Sequence, residues 1–230
     1  TKLIASAKIM FEGEERTLAQ LQPFVESPDR TMRKRASEAR FSFFTDHEKE
    51  LDELYDELVH IRTAIAQKLG FQNFIELGYA RLGRTDYNAK MVANFRRQVK
   101  AHIVPLASKL RERQRRRIKV NKLYYYDEPF MFPTGNPAPK GDAAWIIENG
   151  RRMYEELSPE TGVFFRYMVE HELMDLVAKK GKASGGYCTY IDDYQAPFIF
   201  SNFTGTSGDI DVLTHEAGHA FQVYESRHYD

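Results

Sequence analysis

Thr214-His215-Glu216-Ala217-Gly218-His219 holds the pattern H-E-x-x-H close to the C-terminal end of a 230-residue sequence. Two histidines four apart on a helix project from one face, so both imidazoles can grip a single metal ion. A glutamate next to the first histidine stands beside the ion's open position. There it can take a proton from water and later return it to a leaving amine. Zinc is the ion such a site usually holds, with three protein ligands and one position left for water or substrate. His215 and His219 are therefore the candidate metal ligands, and Glu216 is the candidate general base.

The surrounding residues predict a helix over about 208–227. Ser207 and Asp209 are good N-cap residues, and Asp209 and Asp211 place negative charge at the positive end of the helix dipole. No proline interrupts Ile210 to Tyr224, and Val212, Leu213, Ala220, Phe221, Val223 and Tyr224 give the helix a buried side. Gly218 is a poor helix former and suggests a place where something packs closely against the backbone. Asp211 lies four residues before His215 and could orient it from behind, although an ordinary charge in the first helical turn is the plainer reading. Short motifs do match by accident, and two core histidines with Glu216 in a salt bridge form the bland alternative. The capped helix weighs against it.

A third ligand does not follow in sequence. In the longer pattern H-E-x-x-H-x-x-G-x-x-H, Gln222 takes the glycine position and Glu225 the last histidine position. Glu225 points away from the metal face. His228 falls on the opposite side of the helix at about 3.6 residues per turn. The third ligand is thus expected from outside this chain, which reads as a piece of a larger enzyme.

Upstream of the helix, Gly185 to Ile191 and Phe198 to Thr204 are rich in β-branched and aromatic residues, and Asp192 to Pro197 separates them. This predicts a hairpin over 185–204, or two edge strands. An extended peptide could add to its edge through main-chain hydrogen bonds, which makes Gly185, Gly186, Tyr187, Phe203, Thr204 and Gly205 candidate substrate-binding residues. A structural hairpin with glycines at its turns fits the same residues.

Three stretches also carry a resemblance: Gly185-Gly186-Tyr187-Cys188-Thr189-Tyr190, Pro197-Phe198-Ile199-Phe200-Ser201-Asn202-Phe203, and Gly205-Thr206-Ser207-Gly208-Asp209 running on to Gln222. Ser27-Pro28-Asp29-Arg30 and Lys68-Leu69-Gly70-Phe71-Gln72-Asn73-Phe74 extend it over nearly the whole chain. Together they resemble oligoendopeptidase F, a branch of the thimet-oligopeptidase family of zinc peptidases. The resemblance implies a mainly α, zincin-like fold with a deep channel that admits short peptides. It also implies that His215 and His219 are zinc ligands and Glu216 the base. A ligating glutamate, and a tyrosine and histidine that stabilise the transition state, are expected beyond Asp230, and a helical region before Thr1.

Composition narrows the partners. Lys+Arg and Asp+Glu number 33 each, so no overall field favours nucleic acid or a membrane surface. The single cysteine, Cys188, rules out an internal disulfide framework and suits a reducing, cytoplasmic setting. No stretch is long and apolar enough to cross a membrane. Short peptides are the expected partners, with no nucleic acid and no membrane, and the oligomeric state stays open.

Along the chain, three regions are expected: a helical region over 1–121 with a short N-terminal strand, an aromatic and proline-rich connection over 122–141, and a catalytic half-site over 142–230. Leu3 to Phe11 reads as the strand. Ser27-Pro28 reads as an N-cap followed by proline at the first helical position. Leu51, Leu54, Leu58, Ile61, Ile65 and Leu69 form an apolar helical stripe closed by Gly70. Val92 to Leu110 repeats the pattern, with a kink expected at Pro105. The basic run from Arg111 to Lys119 contains no aromatic residue and reads as the solvated end of a helix. Helices are expected over 142–157 and about 160–180. The second contains His171-Glu172-Leu173-Met174-Asp175, which begins like the metal motif but ends in aspartate. The leading functional reading is a zinc metalloendopeptidase for short peptides. The rivals are a peptide- or partner-binding helical module with an incomplete metal site, and a zinc exopeptidase.

Overall fold

The computed structural model describes residues 2–229. Two compact units emerge, one joining Thr1–Arg40 to Tyr124–Asp230, the other formed by Phe41–Leu123. The divisions fall at Arg40 and Leu123, so the first residues and the aromatic connection both group with the histidine motif.

The first unit opens with a helical turn, α1 (Lys2–Ala5), and a hairpin of β1 (Ile9–Phe11) and β2 (Glu14–Arg16). The strand expected over Leu3 to Phe11 is thereby cut to its last three residues. A four-residue helix, α2 (Gln22–Val25), precedes α3 (Arg30–Asp46). Helix α3 starts later than Ser27-Pro28 suggested. Ser27 Oγ accepts from the Asp29 N–H, and Asp29 Oδ1 accepts from the Thr31 N–H, so Asp29 satisfies the free donor of the first turn.

The aromatic connection closes on α3 through a buried ion cluster. Asp127 is fully buried and Arg33 is 2% exposed. Arg33 Nη2 donates to Asp127 Oδ1 at 2.9 Å, and Arg30 adds bonds to both carboxylate oxygens at 3.0 and 2.8 Å. Arg33 also lies over the Phe130 ring and donates to the Ser27 and Pro28 carbonyls.

Helices α8 (Ala143–Leu157) and α9 (Pro159–Glu170) follow, capped by Asp142 and Ser158. The expected helix over 160–180 stops at Glu170. Glu172 takes a left-handed backbone with φ of 53°, and Met174–Val177 forms β3 instead. Pairing explains the change: β3 lies parallel to β5 (Ala196–Phe203), with Met174 opposite Ile199. Strand β4 (Tyr187–Ile191) pairs antiparallel on the other side of β5, from Tyr187↔Phe200 to Ile191↔Ala196. The sheet order is β3-β5-β4, so β5 is central.

Helix α10 (Ser207–Ser226) covers this sheet. Leu213, Ala217 and Ala220 recur at spacings of four and three and are buried with Ile199 and Phe203 of β5 and Phe164, Phe165 and Met168 of α9. The two alanines let the helix approach closely.

The second unit comprises the end of α3, then α4 (Glu48–Lys68), α5 (Phe74–Arg81), α6 (Ala89–Gln98) and α7 (Val104–Arg117). Asn73 and Asn88 cap α5 and α6 through their side-chain oxygens. Between α6 and α7, Val99–Ile103 forms a π-helical turn in which the Val104 N–H reaches the Val99 carbonyl. Pro105, which has no N–H to continue the ordinary ladder, is accommodated by this widened turn. On α4 the apolar stripe is amphipathic as read, yet Leu54, Leu58 and Ile61 remain about half exposed (48%, 46% and 56%). At the end of α7, Glu112 binds Arg115 and Arg116, whose hydrogen bonds hold its carboxyl down at about 2. Among the described residues no helix is long and apolar enough to cross a membrane.

Candidate metal centre

The loop into α10 is built around one carboxylate. Thr206 is the N-cap by backbone geometry, without a side-chain capping bond. Asp209, in the first turn, is 5% exposed and reaches back to accept the Thr204 N–H at 3.0 and 3.1 Å and the Gly205 N–H at 2.7 Å. Burial pushes the Asp209 carboxyl up, and these backbone bonds oppose it. Gly205, with φ of 86°, supplies the left-handed backbone this turn requires. Ser207 and Asp209 are therefore not the N-cap, because the carboxylate is used on the preceding loop.

On the exposed side of α10, His215 and His219 bring their Nε2 atoms to 3.2 Å, with ring centroids 4.8 Å apart at 81°. Zinc–imidazole bonds of about 2.0–2.1 Å at a tetrahedral angle place two ligand nitrogens about 3.4 Å apart. The pair thus fits a common ion. The contact is also within hydrogen-bond range with one ring donating, and a cation would take that proton's place. Among the described residues no group of three His, Cys, Asp or Glu comes together to hold a metal.

Glu216, one position on from His215, is 8% exposed and makes no hydrogen bond with another described residue. Burial, and then the Glu216 charge, push the Cys188 thiol up. The inward side of β4 therefore lies in the field of the glutamate.

Several expected contacts resolve differently. Asp211 is exposed and forms no hydrogen bond with His215 among the described residues; it lies beyond the first turn of α10, where Asp209 is the acidic residue. A methyl group placed on Gly218 would meet nothing within 4 Å, so no close packing in this chain explains that glycine. Phe203 is 6% exposed in the core, and its carbonyl accepts from Ala178 N–H. The N–H groups of Thr204 and Gly205 are taken by Asp209. Those two backbone donors are therefore engaged within the loop. Strand β4 keeps one edge unpaired among the described residues, and Tyr187 on it is exposed and stacked on Phe200 at 5.0 Å. His171 closes the C-terminal end of α9, while Asp175 lies in β3 and binds Lys182 and Lys179 at 3.0 and 3.1 Å. The decoy motif is thus split between a helix end and a strand.

The profile of peptidase family M3 matches residues 24–134 and 162–229. The chain belongs to peptidase family M3. This M3 chain is 90% identical to a solved structure described as an oligoendopeptidase F, with a TM-score of 0.98, covering 99% of this chain and 40% of that one. It is 84% identical to PZ peptidase A solved with an inhibitor, with a TM-score of 0.98 and coverage of 100% and 41%. A further oligoendopeptidase F structure, from Bacillus anthracis str. Ames, is 67% identical, with a TM-score of 0.96 and coverage of 99% and 42%. The M3 chain therefore spans about two fifths of these relatives' length. The comparison with curated proteins gives no match.

Two supports of the M3 chain's histidine helix escaped the sequence reading. Tyr154 of α8 donates its hydroxyl to the Thr214 carbonyl at 3.3 Å, directly before His215, and burial pushes that hydroxyl up. Its signal was only an aromatic residue on an amphipathic helix. Gly186 abuts Val212, where a methyl group on the glycine would come within 2.7 Å of Val212 Cγ1. Nothing local in sequence announces that contact.

Proposed function

We propose that this M3 chain carries the metal-binding and proton-transferring half of a zinc-dependent endopeptidase that hydrolyses internal bonds of short peptides. The supporting observation is the 3.2 Å approach of His215 Nε2 to His219 Nε2, with Glu216 one residue from the first ligand. His215 and His219 would hold the zinc, and the family resemblance assigns the third position to a glutamate. When bound, the ion supplies a Lewis acid for a peptide carbonyl and acidifies water.

Glu216 accepts a proton from the attacking water and returns it to the departing amine. Its buried stem limits its motion, and its lack of a protein hydrogen bond keeps the carboxylate available. A peptide extended along the unpaired edge of β4 is read mainly through its backbone, which suits varied sequences. The lone Cys188 fits a reducing, cytoplasmic setting.

Three quenched peptides test the reading: one unblocked, one blocked at its N-terminus and one blocked at its C-terminus. An endopeptidase cleaves all three at an internal bond. Loss of cleavage with either block would establish an exopeptidase instead.

A further inference from the structure

The β4–α10 gap beside the histidine motif is set by a glycine. Gly186 immediately precedes β4, and a methyl group on it would lie 2.7 Å from Val212 Cγ1 and 3.4 Å from the Phe200 carbonyl oxygen. Carbon atoms in contact sit about 3.5–4.0 Å apart, so a side chain at 186 must displace the Val212 side chain or part strand and helix by about 1 Å. Val212 stands one turn before Glu216, and Cys188, two residues beyond Gly186, lies in the Glu216 field. The contact thus falls beside the part of α10 that carries Glu216 and His215.

We infer that Gly186 is a positioning residue, which holds the unpaired strand edge at the distance from α10 where a backbone bound to β4 meets Glu216. This rests on the proposed peptidase reading. His215 and His219 share one helix and move together, so widening the gap leaves the metal pair intact. What changes is the placement of the base against the bound peptide. A misplacement of about 1 Å at a reacting centre can lower the rate about 100-fold.

The test uses the intact protein with Gly186→Ala, Val212→Ala and the double variant, together with wild type. Gly186→Ala should retain bound zinc and lower kcat about 100-fold with KM nearly unchanged. Removing the Val212 methyls should restore the double variant to within about threefold of wild type, and Val212→Ala alone should match wild type. Alkylation of Cys188, followed by peptide mass mapping, reads the gap without reference to activity. It should run faster in Gly186→Ala and return to the wild-type rate in the double variant. Unchanged kcat and alkylation in Gly186→Ala overturn the inference, as does a loss of kcat that accompanies zinc loss or that Val212→Ala does not reverse. A wild-type protein that cleaves no peptide would defeat the peptidase reading alone, and the alkylation rates would still decide the role of Gly186 in spacing.

Discussion

His215 and His219 meet through their Nε2 atoms at 3.2 Å on the exposed side of α10, while Glu216 beside them is buried. The division follows from helical geometry, since positions four apart share a face and the neighbouring position is rotated away. One helix therefore carries the two candidate ligands on its exposed side and the glutamate between them in a largely covered position.

Replacement of Glu216 by glutamine should separate these roles. The variant retains zinc because both imidazoles are untouched, and peptide cleavage falls about 10²–10⁴-fold, the usual contribution of a positioned base. Metal content after dialysis and kcat on a quenched peptide check both halves. Full activity in Glu216→Gln would remove this residue from the chemistry.

His219→Ala should have the complementary effect. With one of two imidazoles gone, zinc is lost on dialysis and cleavage is lost with it, while the helical circular dichroism stays near wild type because His219 is exposed. Zinc retained at wild-type stoichiometry would contradict the ligand assignment.

Asp209 should govern the stability of the loop into α10. Asp209→Ala leaves the Thr204 and Gly205 N–H groups without their acceptor and should cost about 2–3 kcal/mol, as bonds to a charged group do. Asp209→Asn keeps an acceptor oxygen and should cost less, the more so because burial already disfavours the charge. Urea unfolding of the three proteins gives the order. Equal midpoints for wild type and Asp209→Ala would show that the loop does not depend on this carboxylate.

The buried cluster of Arg30, Arg33 and Asp127 should make stability fall in acid. Burial pushes the Asp127 carboxyl up, but hydrogen bonds from Arg30, the Tyr124 N–H and Arg33 outweigh it and hold the group below its usual value. A carboxyl lowered in the folded state stabilises fully above its unfolded pKa of about 3.9. That contribution is lost as pH falls through the folded value. Asp127→Ala leaves Arg33 buried without its partner and should cost about 3–5 kcal/mol at pH 7. It should also flatten the decline in Tm below pH 4, relative to wild type, by about that contribution. Parallel Tm curves for the two proteins would assign the acid sensitivity elsewhere.

Much of helix α10 was legible because its determinants are local. The four-residue spacing of His215 and His219, the absence of proline and the apolar Leu213 and Ala220, both buried, all act within a few turns. The hairpin of β4 and β5 was legible from its alternating aromatic and β-branched residues. Strand β3 was not, since Met174-Asp175-Leu176-Val177 continues the pattern of the preceding helix and becomes a strand only by pairing with distant Ile199 and Phe200. The same holds for Asp209, whose capping signal was real but whose carboxylate serves the preceding loop. Tyr154 and Gly186 depend on contacts with Thr214 and Val212 that only the assembled fold brings together.

Cleavage of an internally quenched short peptide by the intact protein, measured as purified, after a chelator and after zinc is added back, tests the central claim most directly. Internal cleavage that the chelator abolishes and zinc restores is the predicted result. Cleavage that persists unchanged after complete removal of the metal, or no cleavage under any of the three conditions, would contradict a zinc endopeptidase built on His215, Glu216 and His219.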